Sequence, residues 1–167
     1  MQNRPEKLIL GEFRRTIDER FRLSIPGELL ESWEGERKSA EKQDCVLVKQ
    51  QPGCVSLWRN TDWQANLESG VRVVESKWAA GRLSDRMHDV QALGRLLSTR
   101  HRSLQLAGRG RLLIPEGFRD FLGVEAGQDV LVIGAAICIE IWEVQAWVAC
   151  LNSEIPRFGE ILDELSR

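Results

Sequence analysis

Arginine is the residue in this chain whose type and spacing most clearly suggest chemistry. Arg20 and Arg22 alternate with Phe21, Leu23 and Ile25, and Arg109 and Arg111 precede Leu112 and Ile114 in the same rhythm. In an extended strand neighbouring side chains point to opposite faces, so each stretch is expected to carry its arginines opposite its apolar residues. The planar guanidinium donates two parallel bonds to O6 and N7 of guanine, and the major groove admits a two-stranded ribbon. Arg14, Arg15, Arg20, Arg22, Arg109 and Arg111 are therefore candidates for DNA contact, with Arg100, Arg102 and His101 as phosphate positioners. Asp18 has the parity of Arg20 and Arg22 and lies four residues before Arg22. A charge-assisted bond there would brace the arginine, or serve only as an intramolecular turn lock.

Other chemistries have little support. The 167 residues include no tyrosine and two histidines, and none of the common nucleotide-binding, nucleophile-elbow or zinc-protease strings. His88-Asp89 is a lone pair on an expected helix face. The four cysteines lack metal-ligand spacing, so buried free thiols are expected and neither metal nor cofactor is implied. No segment approaches the ~20 apolar residues that span a bilayer, and a cytoplasmic protein is the default expectation.

The elements that must position these arginines occur twice. RLSIPGELL (22–30) returns as RLLIPEGFR (111–119) at an offset of 89, and CVLVKQQPGCVSLWRNTDW (45–63) returns as DVLVIGAAICIEIWEVQAW (129–147) at an offset of 84. The difference reads as a five-residue insertion in GERKSAEKQD (35–44). Each copy predicts a strand ending at Ile-Pro, with Pro26 or Pro115 in the first turn of a short helix, and then a buried hairpin. Gly123 is a plausible stop for the second helix. A capping box at Thr61-x-x-Gln64 opens an amphipathic helix through Trp63, Leu67, Val71, Val74 and Trp78. Ser84 is a candidate cap for the next helix, and Ile155, Phe158, Leu162 and Leu165 mark a last one. One copy alone buries little surface and leaves strand edges unpaired, so oligomerisation is expected.

The net charge is −2, but from Val90 to Pro115 there are five arginines and no acid, whereas Glu116 to Arg167 holds ten acids against three arginines. That asymmetry suits one basic face on an acidic body.

With these features assembled, GEFRRTIDERFRLSIPGELLESW (11–33) resembles the opening of the MraZ family of bacterial transcriptional regulators, whose halves begin Asp-x-Lys-Gly-Arg before an apolar residue and Ile/Val-Pro. The duplication, the helical connector ending RLL (95–97) and the IEIW (139–142) extend the likeness over most of the chain. The resemblance implies an α+β fold with a mainly β core: tandem swapped-hairpin AbrB/SpoVT-like β-barrel halves with connecting and C-terminal helices. The halves would be 8–63 and 99–147, with a helical connector at 64–98 and a helical tail at 148–167. It further implies a homo-oligomeric ring that binds double-stranded DNA at G-rich direct repeats upstream of its own operon, the division and cell-wall gene cluster, usually as a repressor. That would place it in the cytoplasm at the nucleoid. Asp18 and Arg22 match the motif, Arg20 stands for its lysine and Phe21 for its glycine. In the second half Gly110 and Arg111 match, Arg109 occupies the position of Arg20, and Ala107 replaces the aspartate. Asp18, Gly110, Pro26 and Pro115 are expected to shape the motif rather than touch DNA. The rival reading is an oligomeric protein-binding or antitoxin-like scaffold, whose partner would take the acidic, apolar-striped tail.

Overall fold

The computed structural model describes residues 7–34 and 43–167, so the insertion inferred in 35–44 falls almost wholly outside the described residues. The elements run β1 (Ile9–Thr16), β2 (Arg22–Ser24), α1 (Gly27–Glu34), β3 (Gln43–Gln51), β4 (Cys54–Arg59), α2 (Asn60–Ala79), α3 (Met87–Thr99), β5 (His101–Leu106), β6 (Arg111–Leu113), α4 (Glu116–Leu122), β7 (Asp129–Ala136), β8 (Ile139–Glu143) and α5 (Val144–Glu154). A 3-10 turn (Ile155–Arg157) leads into α6 (Phe158–Ser166).

The two hairpins form where the paired apolar runs predict them, β3 with β4 and β7 with β8. The copies then interleave. The six-stranded sheet has the order β1-β7-β8-β4-β3-β5, and β2 pairs with β6 in a separate two-stranded ribbon. Every first-copy strand thus lies beside a second-copy strand, and the order reads the same from both ends when sister strands are exchanged. In β4 against β8, Ser56 faces Glu140, and these are sister positions at the offset of 84. In the ribbon, Leu23 faces Leu112, sisters at the offset of 89. A pseudo-two-fold axis therefore passes through both pairs.

The sheet also refines the repeat. Leu47 pairs with Leu57 and Arg102 where Val132 pairs with Ile141 and Phe13, so β3 and β7 correspond at 85, not 84. A register shift between Lys49 and Gln51 accounts for the extra residue.

The barrel expectation is corrected here. The described strands make one open sheet, with β1 and β5 at opposite edges, and no closed barrel. The chain places the ribbon over one face of that sheet. Leu23, Ile25, Leu29, Trp33, Leu112, Ile114, Phe118 and Leu122 pack there against Leu47, Val55, Leu57, Val132, Ile139 and Ile141 in one buried core. On the other face a smaller cluster of Cys54, Leu131, Ile133 and Trp142 is covered by Ala146, Trp147 and Cys150.

Helix ends follow the sequence less closely. The capping box does not form: α2 starts at Asn60, and Asp62 is held by Arg59 at 2.7 Å. Arg86, not Ser84, precedes α3. Pro115 is the cap just before α4 rather than its first turn, and Pro26 just precedes α1. Gly123 ends α4 as expected, at φ +76° with its N–H on the Arg119 carbonyl. All four thiols are free. Burial pushes Cys45 and Cys138 up to about 12, which keeps them protonated and unreactive.

Candidate nucleic-acid interface

The ribbon is short because each strand has three residues, and its alternation is strict. Leu23 and Leu112 point into the core, while Ser24, Arg111 and Leu113 are exposed and Arg22 is half-exposed. Arg22 lies opposite Leu113 and Arg111 opposite Ser24, so the two arginines are diagonal neighbours on the outer face. Diagonal positions are roughly 7–8 Å apart, within one major groove's width.

What precedes each strand is a turn, which corrects the longer alternating strand expected from sequence. Arg20 and Arg109 lie in these turns rather than beside Arg22 and Arg111 on the ribbon, because Phe21 and Gly110 reverse the chain at φ +58° and +70°. In the first turn Asp18 accepts from the backbone N–H of Arg20 and of Arg22 on Oδ1, both at 2.8 Å, and from Arg22 Nε on Oδ2 at 2.9 Å. These bonds, the Arg22 N–H first, hold the Asp18 carboxyl below the usual carboxylate range. The carboxylate is a turn lock and an arginine brace at once. Nε is taken by this bond, and the Arg22 side chain remains 41% exposed.

The second turn keeps the backbone and loses the brace. Ala107 and Arg111 exchange the same N–H to carbonyl bond (2.9 Å) as Asp18 and Arg22 (3.1 Å), and Gly110 N–H closes on the Ala107 carbonyl as Phe21 does on that of Asp18. Nothing replaces the bond to the N–H of residue 109, and Arg109 sits in the left-handed region at φ +65°, whereas Arg20 does not. Among the described residues, the Arg111 guanidinium has no side-chain partner.

The space beneath each turn is filled in complementary ways. Gly110 leaves room that Leu30 fills: a Cβ on Gly110 would collide with Leu30 Cδ1. At the sister positions Phe21 lies under Arg119, whose guanidinium is 4.0 Å from the ring centroid and donates to the Ile114 carbonyl at 2.7 Å. A bulky residue at positive φ is strained, and this stacking offsets the cost. Arg119 was missed from sequence. The signals for it were Phe21 where the resembled family has glycine, and an arginine on the helix after Pro115.

The remaining candidates lie on the sheet. Arg14 and Thr16, on edge strand β1, bind Asp129 at 2.8 and 2.6 Å, and the Thr16 bond, with Arg14, lowers the Asp129 pKa. Arg15 rests 5.5 Å from the Phe13 ring centroid. Arg102 lies near the far end of β5 and Arg100 just before that strand, at the end of α3, five and seven residues before Ala107, which is roughly 15–25 Å of extended chain from the ribbon turns. Arg100 stacks 5.9 Å from Trp63 and donates to the Lys49 carbonyl. Beside them, burial and then Arg100 push His101 below its ordinary pKa, so it is neutral at neutral pH. The basic run 90–115 thus spreads over α3, β5 and the ribbon.

Comparison with known proteins bears on this geometry. A family model described as "MraZ protein, putative antitoxin-like" matches residues 99–159. Proteins named "Transcriptional regulator MraZ" align over nearly all of the chain. The one from Syntrophomonas wolfei is 25% identical over 95% of this chain and 96% of its own, that from Thermomicrobium roseum 27% over 95% and 99%, and that from Alkaliphilus metalliredigens 29% over 95% and 96%. Along nearly its whole length the chain is similar to these MraZ proteins. The name those relatives carry denotes a regulator of transcription, and among the described residues no helix of this chain is long and apolar enough to cross a membrane. No group of three or more His, Cys, Asp or Glu among them could hold a metal ion.

Proposed function

We propose that the protein is a transcriptional regulator that binds double-stranded DNA sequence-specifically, with the β2–β6 ribbon in the major groove. The observation that carries this is the triple acceptance by Asp18. It holds Arg22 through Nε and its backbone N–H, and ties down the N–H of Arg20 in the same turn, on the half-exposed outer side of the ribbon. An arginine held in this way has less side-chain freedom to lose when it meets guanine O6 and N7. Arg111, Arg20 and Arg109 flank it, and Arg14 and Arg15 lie on the strand leading into the first turn. Arg100 and Arg102 can reach only phosphates away from the ribbon.

The family relationship directs the proposal toward G-rich direct repeats upstream of the gene's own operon, the division and cell-wall cluster, with repression as the outcome and the nucleoid as the location. One ribbon contacts few bases, so an oligomer, in the proposed form a ring, gains affinity by presenting several ribbons to several repeats.

Titration against fluorescent DNA from upstream of the gene, with a scrambled duplex as control, tests the reading at two salt concentrations. Selective binding that weakens with salt is expected, because neutralised phosphates release counterions. Arg22→Ala should lose ~1–3 kcal/mol of specific binding and keep its oligomeric mass. Equal binding to both duplexes would refute the proposal.

A second reading has one observation in its favour. Ile155, Phe158, Leu162 and Leu165 form an exposed apolar stripe along the tail, within or just beyond the stretch matched by the antitoxin-like model. A protein partner for that tail, with no selective DNA binding, is what the scrambled control would then reveal.

A further inference from the structure

The duplication places Arg22 and Arg111 as pseudo-two-fold mates on one ribbon, yet their surroundings differ in three respects. Arg22 is braced by Asp18 at 2.9 Å, and its backbone N–H is bound by the same carboxylate. Arg111 follows Ala107, which offers a methyl group in place of the carboxylate, and its backbone N–H reaches only the Ala107 carbonyl at 3.3 Å. The turn itself also differs: the N–H of Arg20 is tied to Asp18, while Arg109 occupies the left-handed region at φ +65°. The exposed arginine Arg111 therefore keeps its rotamer freedom, and Arg22 does not.

That difference matters for what each side chain recognises. A bidentate contact with one base edge needs a guanidinium plane fixed in orientation. Contact with a phosphate needs only a positive charge within reach and tolerates many orientations. A homodimer of identical halves could not separate these roles, because a change in one half would appear in the other. A duplicated chain can.

We infer that the ribbon reads DNA asymmetrically: Arg22, positioned by Asp18, determines base preference, and Arg111, released by Ala107, anchors a phosphate without choosing a base. Each subunit then specifies a non-palindromic half-box in spite of its two-fold fold. This rests on the DNA-binding reading above, and the experiment is chosen to separate the two.

Arginine-to-lysine exchange is the discriminating substitution, because it keeps the charge and removes the planar fork. Wild type, Arg22→Lys, Arg111→Lys and Ala107→Asp would each be selected against a randomised duplex library and the enriched sequences counted. Arg22→Lys should flatten the preference at its base positions, by ~10-fold or more in the ratio of best to worst base. Arg111→Lys should leave the enriched sequence unaltered. Arg111→Ala should weaken the selected and a scrambled duplex by the same factor and reduce the salt dependence by about one phosphate contact. Ala107→Asp, at an exposed position, should add a new preferred base on the opposite side of the box. It should also make that preference sensitive to Arg111→Lys.

Loss of base preference in Arg111→Lys equal to that in Arg22→Lys would overturn the inference and leave DNA binding intact. An unaltered preference in Arg22→Lys, with a folded oligomer, would overturn it too. No enrichment by the wild type, together with no salt-sensitive binding to any duplex, would overturn the DNA-binding reading itself.

Discussion

Asp18 is the residue on which the account turns, and its chemistry has a definite pH sense. Its folded pKa is lowered by the bonds it accepts, so its contribution is complete above the ordinary carboxylate value, near 4, and is lost as pH falls through the lowered value. Base preference should therefore be flat from neutral pH down to about 5, as read by competition between the best and worst duplex. A decline within that window would point to another titrating group. The sister pairs Phe21–Arg119 and Gly110–Leu30 form a second test at this scale. Gly110→Ala must adopt φ near +70° and displace Leu30, at a cost of about 2 kcal/mol or more. Adding Leu30→Ala should recover the steric part, which a double-mutant cycle by urea unfolding would show as coupling. The spacing of Asp18 and Arg22 was legible in the sequence, because a carboxylate four residues before an arginine suggests a brace. The placement of Arg20 in a turn was not, since alternation alone cannot reveal that Phe21 takes a positive φ.

At the level of elements, the hairpins and amphipathic helices were legible because their periodicities are set by burial. Helix starts were not, because competing local bonds decide them. Arg59 holds the Asp62 side chain in the first turn of α2, and Glu143 caps α5 by accepting from Gln145 and Ala146. Pairing between the copies was equally hidden: nothing local in β1 says that it will lie beside β7. That pairing depends on a close approach at Gly134, where a Cβ would sit 2.7 Å from the Ile9 carbonyl carbon and oxygen. Gly134→Ala should push β1 away and destabilise the fold by about 2 kcal/mol, with faster amide exchange along 9–16 than in the wild type. Unchanged exchange there would mean that the edge strand absorbs the methyl group by sliding.

The whole molecule is a duplicated unit whose two halves share one sheet and one ribbon, which explains why a repeat so plain in the sequence does not produce two separate barrels. Arginines clustered in sequence from 95 to 111 are distributed by the fold over α3, β5, the second turn and β6, and the ribbon draws on both copies. The exposed stripe of Phe158, Leu162 and Leu165 would be covered if the proposed oligomer used it as a contact surface. Replacing Phe158 and Leu165 by Asp should lower the assembled mass in light scattering and shift the melting temperature of the individual subunit little, since neither side chain is buried. The ribbon is the surface on which DNA is proposed to dock. Hydrogen exchange of the assembled protein with and without upstream DNA tests it most directly. Protection concentrated in 18–24 and 107–113 is expected. Protection confined to α2, α3 or the C-terminal tail, with the ribbon unchanged, would contradict it.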